Sequence, residues 1–167
     1  MDFESKIISR QIGDILYASG LTIGTAESCT GGRISEAIIA IPGSSDYYKG
    51  GIVAYTDEVK VKLLGVSSEV LEEQTAVSEE VAREMVLGTL NAIGVDFAIA
   101  STGYAGPGGG TKEAPVGTIW LAYGNREEVR TFKLTEDFGR DINLAIATNK
   151  AIRLMLDFLK DMDIKSE

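Results

Sequence analysis

The sequence contains no histidine and only one cysteine among its 167 residues. Without histidine a Ser-His-Asp triad is impossible, and zinc sites built from histidine and cysteine are nearly excluded. A single cysteine cannot form an intrachain disulfide, which is typical of a protein from a reducing compartment. Any nucleophile in this chain therefore needs lysine, tyrosine, a carboxylate, or a water held by one of them as its base.

Long apolar segments and clusters of basic residues are also missing. The longest apolar runs, such as VDFAIA and TIWLAY, are much shorter than the roughly 18 residues that cross a membrane. The first residues lack the charged-then-apolar order of a signal peptide. The net charge is −9 and the sixteen Lys and Arg residues are scattered, which disfavours nucleic acid as a partner. We therefore expect a cytoplasmic protein with no membrane or nucleic-acid partner, and no spacing of carboxylates indicates a metal or cofactor.

Hydrophobic periodicity predicts helices that alternate with strands. The predicted helices are 3–18, from about 31 to before Pro42, 57–65, from Ser78 onwards, and about 139–161; the predicted strands are 21–26, 50–55, 95–101, 118–123 and 128–134. Asp57 and Ser78 are the expected N-caps of their helices, and the short GNRE link predicts that the last two strands form a hairpin. This order predicts one domain, 1–167, of the α/β class: a three-layer α/β/α sandwich with a mixed, mostly parallel sheet and a frayed tail at 163–167.

The segment GTAESCTGGRISEAI, residues 24–38, joins the first predicted strand to the next helix. The first N–H groups of such a helix have no intrahelical partner and favour an anion. We therefore expect Thr30, Gly31 and Gly32 to bind an anionic group of a substrate. The alternative is that Ser28 or Thr30 caps the helix and that the glycines only permit the bend.

A second candidate site is the glycine-rich segment TGYAGPGGGTKEAPVG, residues 102–117, which has six glycines and two prolines. It follows the carboxyl end of a strand, where ligands gather in open α/β sheets. We expect backbone N–H groups near Thr102, Gly103 and Gly106 to hold a phosphate, a ribose or an oxyanion. Tyr104 would stack on an aromatic substrate ring or shield the cleft, and the alternative is a surface loop without a ligand.

Four segments resemble the CinA C-terminal domain family, the nicotinamide-nucleotide amidohydrolases. They are TAESCTGG, the stretch from IPGSSDYYKGG to LLGV at 41–66, AVSEEVAREM, and the stretch from STGYAGPGGG to WLAY at 101–123. The resemblance covers nearly the whole chain and implies an α/β/α fold, a stand-alone form of the domain and a homodimer. It also implies an activity: hydrolysis of the carboxamide of nicotinamide mononucleotide to nicotinate mononucleotide and ammonia, with no cofactor.

The resemblance places the catalytic roles on Ser28 as nucleophile, with Tyr55 and Lys60 as assisting groups. Our chemical hypothesis is that Lys60 lowers the pKa of Tyr55 or Ser28 and that the pair passes a proton to the leaving nitrogen. Lys62 is the rival base. Cys29 is the rival nucleophile, because a thiol at a helix N-terminus can have a lowered pKa; the favoured alternative for Cys29 is a small buried thiol.

The remaining substrate-binding candidates are hydroxyls and one cation. Ser44 and Ser45 offer hydroxyls, although a plain turn also explains them. Arg140 is a further substrate-binding candidate, but Asn143 and Leu144 stand where the family usually has a second arginine. If that arginine binds phosphate in relatives, Arg33 or Arg140 would have to compensate here, and the phosphate site stays open between the Gly31-Gly32 turn and the loop after Ser101. Two other functions therefore stay open: a non-catalytic nucleotide- or protein-binding module linked to competence or DNA damage, and an amidase for another pyridine or nucleoside carboxamide.

Overall fold

The fold is a five-stranded sheet with six helices, seen in a computed structural model that describes residues 1–164. The strands are β1 (Ile23–Glu27), β2 (Tyr48–Val53), β3 (Phe97–Gly103), β4 (Ile119–Gly124) and β5 (Val129–Leu134). The helices are α1 (Phe3–Ser19), α2 (Arg33–Ile39), α3 (Asp57–Leu64), α4 (Ser68–Gln74), α5 (Glu79–Thr89) and α6 (Arg140–Asp161).

The strand order across the sheet is β2-β1-β3-β4-β5. β1 runs parallel to both of its neighbours, whereas β4 runs antiparallel to β3 and β5. Four strands therefore share one direction and β4 is reversed, which confirms the predicted mixed sheet and the hairpin. Glu27 at the end of β1 pairs with Val53 and Ser101, so the carboxyl ends of three parallel strands lie together at one edge.

Each face of the sheet is covered by its own layer of helices, which confirms the three-layer sandwich. On one face, α1, α2 and α6 pack through buried residues such as Ile12, Ile34 and Ile152. On the other face, Leu64 of α3 and Met85 of α5 belong to a second apolar cluster. Burial of these apolar stripes is what holds the helices to the sheet. None of the described helices is long and apolar enough to span a membrane.

The structure differs from the sequence-based expectation at a few element boundaries. Helix α4 was not predicted, because its short, acidic segment SEVLEEQ buries only Leu71. Thr56 caps α3 through its side chain, so the prediction of Asp57 as N-cap was wrong by one residue, whereas Ser78 caps α5 as expected. β3 continues to Gly103, because its pairing with β4 extends to that residue. Most of the predicted frayed tail, residues 165–167, lies outside the described residues.

Candidate active site

Ser28 and Lys60 meet at the carboxyl edge of the sheet. Ser28 follows the last residue of β1, and Lys60 lies on the second turn of α3. Its Nζ is 3.0 Å from Ser28 Oγ and 2.9 Å from the Ala54 carbonyl oxygen. The Lys60 side chain is only 1% exposed, which is rare for lysine. This close contact makes Lys60 a candidate proton acceptor for the serine hydroxyl.

Burial lowers the pKa of Lys60, since removal from water disfavours the ammonium. The nearby Asp57 carboxylate acts in the opposite direction and raises it. A neutral amine in this position can donate to the Ala54 carbonyl and accept a proton from Ser28 with its lone pair. Burial therefore shifts Lys60 towards the neutral form that a general base requires.

A cleft of about 260 Å³ opens beside this pair. Besides Ser28 and Lys60 its walls include Cys29, Tyr55, Asp57, Ala76, Val77, the segment from Thr102 to Gly106, Gly108 and Arg140. The volume lies slightly below the range of drug-sized ligand sites, which is about 300–1,000 Å³. The cleft thus suits a small molecule.

Tyr55 lies in the same cleft, but its hydroxyl contacts Arg140 rather than Lys60. Arg140 Nη2 is 3.4 Å from the Tyr55 hydroxyl, and Arg140 Nη1 donates to the Gly106 carbonyl at 2.9 Å. Tyr55 is 59% exposed. The structure therefore brings Ser28, Tyr55 and Lys60 to one cleft, with Tyr55 at its rim, and shows no hydrogen bond for the hypothesised proton exchange between Tyr55 and Lys60 in the described residues.

The expected anion site at the start of α2 is filled by the protein itself. The Glu27 carboxylate accepts hydrogen bonds from the N–H groups of Ile34 and Ser35 and from the Thr30 hydroxyl. Thr30 is fully buried, and neither Gly31 nor Gly32 lines the cleft. The structure thus leaves these three residues without a place in the cleft, because an internal carboxylate already satisfies the helix terminus.

Ser44 and Ser45 lie at the opposite edge of the sheet. They belong to a 3₁₀ turn that precedes β2. Tyr47, directly after this turn, accepts a hydrogen bond through its carbonyl from Ile23 N–H at the start of β1. Neither serine lines the cleft. The structure therefore places both serines away from the cleft, because residues before a parallel strand and residues after it lie at opposite edges of the sheet.

The glycine-rich segment forms one wall of the cleft. Thr102 is buried and its hydroxyl donates to the Ala76 carbonyl at 2.8 Å, so it is used internally. A Cβ at Gly103 would collide with Ile119, and Gly106 has a left-handed backbone with φ of +87°, so both positions favour glycine. Tyr104 is half-buried on the same wall.

The two rival residues occupy unsuitable environments. Cys29 is buried, and burial raises its thiol pKa to about 12, so the reactive thiolate is disfavoured. Lys62 is exposed and does not line the cleft.

At the start of α6, Asn143 is buried and donates to the Ala105 carbonyl at 3.0 Å, while Leu144 packs in the core. Asn143 therefore supports the glycine-rich segment from behind, and Arg140 is the cation at the cleft rim.

Sequence reasoning missed three contributors to this site. Glu27 belongs to the same TAESCTGG segment as Ser28 but received no role. Asp57 lines the cleft beside Lys60, and Ala54 supplies a carbonyl to its amine. The position of Glu27 directly before Ser28 was the available signal for its place in the site.

No group of three or more Cys, Asp or Glu side chains within residues 1–164 is arranged to hold a metal ion.

A buried lysine lies against a serine hydroxyl at the carboxyl edge of an α/β/α sandwich, an arrangement that can support a serine nucleophile without histidine. Residues 5–159 match the family model described as the CinA C-terminal domain. The chain belongs to this family, as the resemblance predicted.

Several relatives carry informative names. The chain is 46% identical over 122 residues to the nicotinamide-nucleotide amidohydrolase PncC of Escherichia coli strain K12, a match that covers 73% of this chain and 74% of that protein. It is 42% identical over 151 residues to a putative competence-damage inducible protein of Halothermothrix orenii. That match covers 90% of this chain but only 37% of the Halothermothrix protein, so the chain spans little more than a third of that relative.

Solved structures have the same fold. The crystal structure of the competence/damage inducible protein CihA from Agrobacterium tumefaciens superposes with a TM-score of 0.91 at 36% identity, covering 95% of this chain and 97% of that one. A CinA superfamily protein from Klebsiella pneumoniae gives a TM-score of 0.89 at 34% identity, covering 94% and 98%. The α/β architecture is therefore common to this chain and these two solved structures over almost their entire length.

Proposed function

We propose that this protein is an amidohydrolase that converts nicotinamide mononucleotide to nicotinate mononucleotide and ammonia. The observation that carries the proposal is the 3.0 Å contact between Lys60 Nζ and Ser28 Oγ in a cleft of small-molecule size. The similarity to the Escherichia coli nicotinamide-nucleotide amidohydrolase supports this choice of substrate.

The proposed reaction has two halves. Ser28 Oγ attacks the carboxamide carbon while its proton passes to the neutral Lys60 amine. Lys60 then returns the proton to the amide nitrogen, the C–N bond breaks, and ammonia leaves an ester on Ser28. A water molecule attacks this ester with Lys60 again as base, which releases the carboxylate and restores the serine. The net change consumes one water for each ammonia formed.

Substrate placement follows from the charges around the cleft. Lys60 is buried against Ser28, whereas Arg140 lies at the rim with its guanidinium between Tyr55 and Gly106. We propose that Arg140 binds the phosphate and that Tyr55 donates a hydrogen bond to the bound substrate from the same wall. The backbone of Gly103 and Gly106 would flank the ribose or the oxyanion.

The direct test incubates the purified protein with nicotinamide mononucleotide and measures ammonia and nicotinate mononucleotide. Equal release of both products, and loss of both in Ser28→Ala, is the expected result. Binding of the mononucleotide without ammonia release would instead indicate the non-catalytic module. Ammonia release only from another pyridine or nucleoside carboxamide in a substrate panel would correct the substrate and keep the reaction.

The role of Arg140 is tested by comparing substrates with and without phosphate. In Arg140→Gln the KM for nicotinamide mononucleotide should rise roughly 10-fold or more, since a charge-assisted contact is lost. The KM for nicotinamide riboside should stay nearly unchanged. Equal effects on both substrates would contradict phosphate binding by Arg140.

We also propose, from the family resemblance, that the protein works as a homodimer. Sedimentation equilibrium should then give twice the chain mass of 17.9 kDa. A single-chain mass at every concentration up to that of the activity assay would contradict this proposal.

A further inference from the structure

Glu27 is a buried carboxylate that the proposed reaction does not use. It is the last residue of β1, is 1% exposed, and does not line the cleft. A carboxylate in such a place is costly unless its oxygens are fully hydrogen-bonded. The structure meets this requirement with groups from a single turn and the helix that follows it.

Four donors converge on the two carboxylate oxygens. Oε1 accepts from the Thr30 hydroxyl at 2.7 Å and from Ile34 N–H at 2.8 Å. Oε2 accepts from Ser35 N–H at 3.0 Å and from the Ser35 hydroxyl at 2.7 Å. The Glu27 carboxylate thus joins the start of the turn, residues 28–32, to the first residues of α2 and so holds the turn closed.

The same turn carries the candidate nucleophile. Ser28 follows Glu27 directly, and its N–H donates to the Ser101 carbonyl at 2.9 Å. The Ser101 hydroxyl lies 2.6 Å from the Thr30 hydroxyl, which itself donates to Glu27. The Glu27 carbonyl also accepts from Ala54 N–H at 2.9 Å, and the Ala54 carbonyl accepts from Lys60.

We infer that Glu27 is a positioning residue: its carboxylate fixes the turn so that Ser28 Oγ stays within reach of Lys60. This inference rests on the proposed role of Ser28 as nucleophile. The carboxylate offers acceptors to all four donors, whereas an amide of the same shape places an N–H₂ donor against some of them. Glu27 acts through the backbone of Ser28 and touches no substrate.

The test uses Glu27→Gln, with Glu36→Gln as the matched control. Glu36 lies exposed on the same short helix α2, so its variant removes an equal charge without touching the turn. Both proteins are compared with the wild type in steady-state ammonia release, with rates normalised to the folded fraction. Amide hydrogen exchange over residues 28–35 is measured on the same samples without substrate.

For Glu27→Gln we expect kcat to fall about 10- to 100-fold, as small misplacements of a reacting group do, with KM within about twofold of the wild type. A purely structural role would reduce the folded fraction and leave the normalised kcat unchanged. Exchange at Ile34 and Ser35 should become roughly 10-fold faster, and Glu36→Gln should change neither quantity.

Unchanged exchange at these amides, or a normalised kcat equal to that of the wild type, would overturn the inference. Hydrogen exchange needs no substrate, so it reports the state of the turn even if the wild type releases no ammonia from nicotinamide mononucleotide. In that case the ammonia assay contradicts the proposed function, and unchanged hydrogen exchange would still contradict the inference that Glu27 fixes the turn.

Discussion

At the residue scale, the proposed chemistry of the cleft depends on the protonation of one lysine. Lys60 is surrounded by protein, and its amine has two partners, the Ser28 hydroxyl and the Ala54 carbonyl. Removal from water lowers its pKa, whereas the exposed Lys62 two positions later is not part of the cleft. Two lysines on one short helix therefore have different environments, because only Lys60 faces inward.

Lys60→Met should reduce ammonia release by about 10²- to 10⁴-fold, the usual contribution of a general base. Lys62→Met is the matched control and should stay within about twofold of the wild type. In the wild type kcat/KM should rise with pH as Lys60 loses its proton, with a midpoint below the ordinary value of 10.5. A Lys60→Met protein with full turnover, or two lysine variants with equal loss, would contradict this assignment.

Cys29 gives a second prediction at this scale, because its pKa is raised from 9.0 to about 12 by burial. Above pH 9 the unfolded chain releases the thiol proton while the folded chain keeps it, so the folded state binds more protons and loses stability as pH rises. The free energy of unfolding of the wild type should therefore fall relative to Cys29→Ala. The difference should reach about 1.4 kcal/mol per pH unit at most.

The measurement is urea unfolding of both proteins between pH 8 and 10.5. Cys29 also raises the pKa of the neighbouring Lys60, so the difference between the two proteins contains a smaller contribution from Lys60 beside the titration of Cys29 itself. Cys29→Ala should also keep its ammonia release, since a thiol with a raised pKa is a poor nucleophile. Parallel stability curves would show that the folded thiol titrates normally, and loss of turnover would return Cys29 to the list of candidate nucleophiles.

At the element scale, the position of Lys60 depends on how α3 packs against α5. Gly88 of α5 lies against the backbone of Leu64 at the end of α3, and a Cβ at position 88 would overlap the Leu64 carbonyl oxygen. Close approach of two helix backbones needs a residue without a side chain at the contact. Gly88 thus sets the distance between the helix that carries Lys60 and the helix that covers the sheet.

Gly88→Ala should destabilise the protein by about 1–3 kcal/mol through overpacking, although alanine in a helix interior normally stabilises relative to glycine by about 1 kcal/mol. The displaced α3 should also lengthen the Lys60–Ser28 contact and lower kcat. Thermal unfolding and ammonia release measure the two effects. Leu87→Ala, at the exposed neighbouring position, is the control, and a stabilised Gly88→Ala protein would contradict the close packing.

Sequence patterns predicted the helices and strands better than they predicted the contacts between them. The periodicity of apolar residues placed every strand and five of the six helices, because burial on one face imposes a regular spacing. The acidic helix α4 was not predicted, since it buries only one apolar side chain. The site was harder: Glu27 fills the anion position that Thr30, Gly31 and Gly32 were expected to create, and Ser44 and Ser45 lie at the far edge. A sequence shows which groups are available but not which internal partner already occupies them.

At the scale of the whole molecule, the two helical layers share one sheet. Strands β1, β3 and β4 contribute to both apolar clusters, with Ile99 on one face and Ala98 on the other. Loss of one layer would expose the apolar side chains of the sheet that the layer covers, which costs free energy in proportion to the area exposed. The layers are therefore expected to unfold together, as a single domain does.

The only tryptophan, Trp120 on β4, offers a local probe for this expectation. It is partly buried against the cluster of α3, α4 and α5, so its fluorescence reports on that layer, whereas far-UV circular dichroism reports on the helices of both layers. Urea transitions followed by the two signals should have the same midpoint and slope. If α1, α2 and α6 formed an independent unit, circular dichroism would show a second transition that the fluorescence lacks, and the single-domain interpretation of 1–167 would be wrong.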